Sequence, residues 1–351
     1  MKINKSNAPH KIDVVLPTYN GSKTIYDTLN TIISQSYKDF SIIIFDDGST
    51  DETLNIVSKF SDERIEIYSS NENLGYPGAI KKAYSLSNAT LVFFMAQDDY
   101  LADSALEDAV SIFDLNPGVG ALTRPYYAFD RSIKKPVRYK KTIESKHVPY
   151  ETISTKSDFT KIQLVLNTLD QLSGLCVRRS AVTKDFGNDV FTSHVIPFLS
   201  VLEGHKIGFM NKYTVAVRVN SSQCISEKNI YDISPVYSWL RVMDIVFHKD
   251  EFRIIKKDIS KKFVCSNWIG LFQIRNYSGS PFKYLFREYW LMLKIQPLNL
   301  INPLFIGTMA LCILIPRKNL ITLVNGVKNH ISSKFVKRIS FIIDGKDILL
   351  D

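Results

Sequence analysis

The sequence predicts an α/β protein with a doubly wound, mostly parallel sheet covered by helices on both faces, followed by a basic and mainly helical region. Two observations carry that expectation. In the first hundred residues, four short and almost continuously apolar runs alternate with segments of helical periodicity, which is how strands buried on both faces read. From Tyr231 onward the apolar residues recur at helical spacing.

The elements follow in order. Ile12 to Leu16 (IDVVL) is the first strand and stops at Pro17. Ser22 can then N-cap a helix reaching about Ser36, with Ile25, Leu29, Ile32 and Ile33 on one face. Phe40 to Phe45 (FSIIIF) is the second strand, ended by Asp46-Asp47-Gly48-Ser49. A helix from about Asp51 places Leu54, Val57 and Phe60 on one side, Arg64 to Tyr68 is a third strand, and Pro77 to Leu86 another helix. Leu91 to Met95 (LVFFM) is the fourth strand, ended by Gln97-Asp98-Asp99. Beyond Asn116 the pattern loosens. The basic stretch Arg131 to Lys146 reads as a loop, Ser157 to Asp170 and Val195 to Glu203 as helices, and Leu172 to Arg179 as a small apolar run. Helices are expected over Pro235 to Phe247 and Phe252 to Ile274, and a hairpin around Asp344-Gly345. The division read from this pattern is an α/β domain over 1–225, with parts 10–120 and 121–225, and a helical region over 226–351.

With 351 residues, 45% hydrophobic and 23% charged, the chain can bury a sizeable core and does not resemble a disordered segment. Cys176, Cys224, Cys265 and Cys312 are far apart and lack metal-ligand spacing, so they read as reduced thiols of a cytoplasmic protein. Met1 to Lys11 is polar and lacks the apolar core of a signal peptide. No stretch reaches the roughly 18 to 20 apolar residues that span a bilayer. Leu304 to Ile315, between two prolines, fits a buried helix or a segment lying in a membrane interface.

Net charge is +9, unevenly placed: 25 Lys and Arg against 25 Asp and Glu up to Ile225, then 19 against 10. A basic, aromatic-rich tail suits an anionic surface, either nucleic acid or phospholipid, although charge alone also fits a solvated helical face. No nucleic-acid-binding module is recognisable. Lys256, Lys257, Lys261 and Lys262 beside Phe263 and Trp268 are the candidates for a peripheral contact with the inner face of the plasma membrane.

In a parallel sheet ligands bind beyond the carboxyl ends of the strands, and three polar loops converge there: Pro17-Thr18-Tyr19-Asn20, Asp46-Asp47-Gly48-Ser49 and Gln97-Asp98-Asp99. Adjacent carboxylates at a strand end repel one another, and a hard divalent cation relieves the repulsion. Such a cation would bridge a diphosphate and neutralise the charge that builds as it leaves. A solvated turn is the alternative for an isolated Asp-Asp. Asp46 and Asp47 can accept bonds from a base or from ribose hydroxyls, or can equally form a turn and helix cap.

VVLPTYNG (Val14 to Gly21), IIIFDDGSTDET (Ile42 to Thr53), NLG (Asn73 to Gly75) and QDDY (Gln97 to Tyr100) together resemble family 2 glycosyltransferases over roughly residues 10 to 220. The resemblance implies a GT-A fold, an inverting transfer from a nucleotide-diphosphate sugar, most commonly a UDP-sugar, and a divalent metal, Mg2+ or Mn2+. It implies that Pro17, Thr18, Tyr19 and Asp46 hold the nucleotide, with Asn20, Asp47, Gly75 and Gln97 as further nucleotide-sugar-binding residues of these motifs. Asp98 and Asp99 correspond to the metal and diphosphate motif.

The departures from the family pattern are specific. Ala96 stands where the metal motif often has its first aspartate, and Ile80, Lys81 and Lys82 follow NLG where an arginine is common. Inversion needs a base for the acceptor hydroxyl, usually an acid just before the helix that here is Val195 to Glu203. The sequence has Asn188-Asp189-Val190-Phe191-Thr192-Ser193-His194. His194 is the leading candidate, since a free imidazole titrates near pH 6.5, and Asp189 is the competitor. Arg218, in Arg218-Val219-Asn220-Ser221-Ser222-Gln223, resembles an Arg-x-His-x-x-Gln element and is a candidate diphosphate contact.

The leading expectation is an enzyme that moves a sugar onto a hydroxyl of a bacterial cell-surface glycan or lipid-linked acceptor. The alternative is a nucleotide-sugar-binding protein that kept the cleft and lost the base.

Overall fold

The structure is a computed structural model and describes residues 11–143, 148–219, 230–333 and 341–348. The chain forms two compact units: residues 1–218 with 337–351, and residues 219–336.

The first unit is built on strands β1 (Ile12–Thr18), β2 (Phe40–Asp46), β3 (Ile65–Ser69) and β4 (Leu91–Phe94), joined by helices α1 (Ile25–Ile33), α2 (Thr53–Val57) and α3 (Gly75–Leu86). Past the short β5 (Tyr100–Leu101) come α4 (Ala105–Leu115), β6 (Val119–Thr123), β7 (Tyr126–Phe129), β8 (Pro136–Tyr139) and β9 (Tyr150–Ile153). Helix α5 (Phe159–Leu166), β10 (Cys176–Arg178), α6 (Val195–Ser200), β11 (Lys206–Met210) and β12 (Val215–Arg218) complete it. Among the described residues the larger sheet has eight strands in the order β3-β2-β1-β4-β10-β6-β11-β9, and a second sheet runs β5-β12-β7-β8.

Strands β3, β2, β1 and β4 are parallel, so the doubly wound sheet expected from the apolar runs is the sheet observed. Ile12, Val14, Leu16, Ile42, Ile44, Leu91 and Phe93 pack in one core with Leu29 and Ile32 of α1 and Leu106, Ala109 and Phe113 of α4. Alternate strand residues face α3, whose Ala79, Ile80 and Ala83 are buried. Covering both faces explains why these strands are apolar throughout. The buried Asp13 is satisfied by the hydroxyls of Ser41 (2.7 Å) and Ser87 (2.8 Å) and by the Asn88 and Ala89 amides, so it pins β1 to β2 and to the α3–β4 turn.

Four local expectations change. Ser22 is not the cap of α1: its amide donates to Asp51 (3.1 Å), and the helix opens three residues later, on bonds from Thr24 and Ile25 to the Gly21 carbonyl. The basic stretch from Arg131 contains β8, an edge strand antiparallel to β7, where charged side chains protect an open edge. The single helix expected over Phe252 to Ile274 is interrupted. Helix α8 (Arg253–Asp258) runs into a π-helical turn (Ile259–Val264), and the chain restarts as α9 (Ile269–Tyr277). Ser266 bonds back to the Lys261 carbonyl, which competes with the ladder. Leu304 to Ile315 is a helix, but with an exposed apolar side that a fully buried helix would lack.

The remaining helices of the second unit are α7 (Pro235–Val246), α10 (Pro281–Ile295), α11 (Pro303–Leu314) and α12 (Arg317–Ser333). Among the described residues no helix is long and apolar enough to cross a membrane. The expected hairpin is present as β13 (Ile342–Ile343) and β14 (Lys346–Asp347), with Asp344 and Gly345 both at positive φ. It belongs to the first unit: Phe341 stacks edge-on to Tyr127 (5.2 Å), and Asp103 accepts the Asp344 and Gly345 amides at 3.0 and 2.8 Å. Cys176, Cys265 and Cys312 are buried and unpaired; Cys224 and residues 220–223 of the Arg218 segment lie outside the described residues.

Candidate active site

Because β1 pairs in parallel with β2 and β4, the loops after all three strands leave the sheet at one edge. Side chains lock those loops together. Gln97 Oε1 accepts the Tyr19 amide (2.9 Å) and the Thr18 hydroxyl, and its Nε2 donates to the Tyr19 carbonyl (3.1 Å). Asn20, at positive φ, accepts the Thr50 amide (2.8 Å) and donates its own amide to Ser49 Oγ (2.8 Å).

Asp46 and Asp47 are both buried. Asp46 accepts the amide (3.0 Å) and hydroxyl of Ser49 and shapes the turn after β2. Asp47 accepts the Leu74 amide (2.8 Å), which fixes the entry to α3 at Gly75. Burial pushes the Asp47 carboxyl up, against the two amides that stabilise its charge. Pro17, Tyr19, Gly75 and Gln97 are half-buried and Asn20 is exposed, so these members of the expected nucleotide set present surface, while Thr18, Asp46 and Asp47 are buried.

The two aspartates after β4 have different surroundings. Asp98 is half-buried. Asp99 is buried: Ser173 Oγ donates to one oxygen (2.6 Å) and the Arg218 amide to the other (2.9 Å). Burial first, and the Asp98 charge second, push the Asp99 carboxyl well above the usual carboxylate range. Both oxygens of Asp99, expected as a second metal ligand, thus accept hydrogen bonds inside the fold, whereas Asp98 is the more exposed carboxylate of the pair. Among the described residues no three His, Cys, Asp or Glu side chains are grouped to hold a metal.

Arg218, expected at a diphosphate, packs beside the Asp98 loop. Its guanidinium lies over the Tyr100 and Phe129 rings (5.4 and 4.9 Å), donates to the Asp98 carbonyl (3.2 Å) and the Tyr100 hydroxyl (3.2 Å), and sits 3.7 Å from Asp27. Lys81, in the region after NLG, pairs with Asp185, and Ile80 is core.

The turn 168–174 is the hub that the sequence reading missed. Ser173 Oγ, besides holding Asp99, accepts the Ala96 amide (2.8 Å), and the Gly174 amide donates to Phe94 (2.8 Å). Beneath it lies fully buried Arg124, donating to the Thr168 and Gln171 carbonyls at 3.5 and 3.4 Å. Burial lowers its pKa to about 10. Gly174 has φ +84°, and a Cβ there would stand 2.5 Å from Arg124 Nε. Gly174→Ala is therefore expected to destabilise the first unit by about 2 to 4 kcal/mol, read as a lowered denaturant midpoint at unchanged slope. Only the Ser-Gly dipeptide ahead of an apolar run signalled this turn in the sequence.

His194 lies against the same 168–174 turn. It is 7% exposed, its Nε2 lies 2.9 Å from the Leu169 carbonyl, and its Nδ1 lies 2.8 Å from the Tyr76 hydroxyl. A carbonyl can only accept, so Nε2 carries the proton and Nδ1 accepts from Tyr76. Burial lowers the imidazole pKa to about 4, against the Leu169 bond that raises it. Asp189 shapes a turn: its carboxylate accepts the Phe191 amide (2.8 Å) and its carbonyl the Thr192 and Ser193 amides.

Residues 13–181 match the family model described as glycosyl transferase family 2. The chain carries a family 2 glycosyltransferase domain. Its N-terminal portion is similar to the Escherichia coli UDP-Glc:alpha-D-GlcNAc-diphosphoundecaprenol beta-1,3-glucosyltransferase WfaP, 32% identical over 103 residues, 29% of this chain and 41% of that protein. It is also similar to the poly(ribitol-phosphate) beta-N-acetylglucosaminyltransferase TarS of Staphylococcus aureus, 33% identical over 108 residues, 30% of this chain and 19% of that protein. The chain thus aligns with less than half the length of either relative. A crystal structure of S. aureus TarS 1-349 in complex with UDP-GlcNAc has the same fold, with a TM-score of 0.60 and 17% identity over 96% of this chain and 95% of that one. The family 2 domain is therefore of the GT-A type, followed by helices.

Proposed function

We propose that the protein transfers a sugar from a nucleotide-diphosphate sugar, most simply a UDP-sugar, to a hydroxyl of a bacterial cell-surface glycan or lipid-linked acceptor, with inversion and with a divalent metal. The observation that carries this reading is the hydrogen bonding of the β1 loop to the β2 and β4 loops at one edge of a GT-A sheet, with Asp98 next to Gln97 in the β4 loop. The UDP and UDP-GlcNAc of the TarS complexes and the diphosphoundecaprenol acceptor in the WfaP name supply the donor and acceptor classes.

Asp98 is the residue that would hold the metal. Mg2+ is commonly bound through one or two carboxylates plus substrate phosphates and water, so a single carboxylate fits a site completed by the donor diphosphate. A metal bound there would stabilise the negative charge of the departing nucleoside diphosphate. Asp99 is a positioning residue, holding the Asp98 loop to the Ser173 turn and to the start of the Arg218 segment. Pro17, Tyr19 and Asn20 face the nucleotide, and Asp46, Asp47, Gly75 and Gln97 hold the loops that present it.

His194 takes the acceptor proton in this reading, at Nδ1. The Tyr76 hydroxyl already occupies that atom, so the proton passes from the acceptor to Tyr76 Oη as Tyr76 gives its own proton to His194. Metal-dependent release of nucleoside diphosphate, assayed across a donor panel in the presence of acceptor glycans, tests the proposal. A wild-type protein that binds donors but never turns one over would refute it.

One observation favours a second reading. An imidazole with a pKa near 4 and both nitrogens engaged is a weak base, which suits a nucleotide-sugar-binding protein without turnover. Wild-type protein that binds donors equally with and without metal and transfers no sugar would select it.

A further inference from the structure

The second unit carries an apolar surface whose polarity is inverted. In the 3-10 turn Pro297–Ile301, the polar residue is inside: Asn299 is 3% exposed and donates to the Cys265 carbonyl (2.8 Å). The apolar residues are outside, with Leu298 64%, Leu300 58% and Ile301 77% exposed. Anchoring the asparagine forces its neighbours outward, since adjacent residues of a tight helical turn cannot share one direction.

Helix α11 continues the surface. Phe305, Thr308, Met309 and Cys312 form its buried stripe, while Leu304, Leu311 and Leu314, spaced for one opposite face, are exposed. A helix apolar all round normally has partners all round, and a contiguous exposed apolar patch marks an interaction surface.

Charge selects the occupant. Between Glu288 and Asp344 the sequence holds seven Lys and Arg and no acidic residue. Of these, Lys294, Arg317 and Lys318 are exposed at the two ends of the apolar segment. The cluster singled out in the sequence is different: Lys256 pairs with Asp244 (2.7 Å), Lys262 with Asp258 (3.1 Å), and Phe263 packs edge-on against Trp239. Two of that cluster's four lysines are thus paired with aspartates within the unit, whereas the 294–318 segment has no acidic residue of its own.

We infer that Leu298, Leu300, Ile301, Leu304, Leu311 and Leu314, flanked by Lys294, Arg317 and Lys318, form a docking surface for an anionic lipid bilayer. The apolar side chains enter the acyl boundary and the cations meet the headgroups. A second copy of the chain is disfavoured as occupant, because a self-complementary contact would bring two uniformly basic rims together. The inference does not rest on sugar transfer, since lipid binding can be read without turnover.

The test is flotation of the full chain with phosphatidylcholine vesicles, with and without about a third phosphatidylglycerol, alongside its mass in solution by light scattering. Binding to the anionic vesicles is expected to exceed binding to neutral ones by about tenfold or more and to weaken with salt. L300S/I301S/L304S is expected to abolish it, and R317E/K318E to reduce it by about tenfold. These side chains are exposed, so melting temperature and donor binding should stay at wild-type values. No binding to anionic vesicles, equal binding to both vesicle types, or a solution dimer dissociated by the triple substitution would each overturn the inference.

Discussion

An Asp98→Asn variant is expected to fold, to keep most of its nucleotide affinity and to lose at least a hundredfold in sugar transfer. Asp98 is the half-buried carboxylate at the end of β4, whereas its neighbour is committed to the fold. Removing one charge from the site proposed to neutralise a departing diphosphate costs about 10²- to 10³-fold when that charge acts in the transition state. The loss should appear in kcat, with the melting temperature within about 2 °C of wild type. Asp99→Asn should behave in the opposite sense. An amide can serve the Arg218 N–H but presents N–H2 toward a donor, so the variant should lose about 1 to 3 kcal/mol of stability. Full turnover by Asp98→Asn would remove the metal role from this chain.

His194→Gln is the second large effect, with transfer expected to fall by about 10²- to 10⁴-fold, the usual worth of a general base. Tyr76→Phe should fall comparably, because the proposed proton relay runs through the hydroxyl at Nδ1. Asp189→Asn should change kcat little, since its carboxylate serves the Phe191 amide. If Tyr76→Phe and His194→Gln both keep wild-type turnover, the proton leaves by another route.

The same histidine sets a stability dependence on pH. Its folded pKa of about 4 lies below the unfolded value near 6.5, so between those values the unfolded chain binds more protons. Acidification through that window therefore destabilises the protein, and stability is regained as pH rises through it. The contribution is roughly 3 kcal/mol at full extent. His194→Gln should flatten this part of the stability profile, measured by denaturant melts between pH 4 and 7.

Much of the fold was legible because strand burial and helical periodicity are short-range signals. IDVVL, FSIIIF and LVFFM each read as a strand buried on both faces, and each is one. Ser22 was misread because its amide answers to Asp51, 29 residues away, rather than to its own helix. The helix expected over Phe252 to Ile274 failed at Ser266, where a side chain competes for a backbone carbonyl.

The candidate site divides along the same line. Taken alone, the sequence placed the polar loops after β1, β2 and β4 at one sheet edge, because parallel topology follows from apolar runs spaced by helices. What separates Asp98 from Asp99 came only with the tertiary structure, through Ser173 and Arg218, which lie 74 and 119 residues from Asp99. The state of His194 likewise depends on Tyr76, 118 residues distant, and on the Leu169 carbonyl. Which loop a carboxylate or imidazole occupies is written locally. Whether it faces solvent, and which partner holds its proton, depends on burial and on contacts between distant segments, which no local pattern encodes.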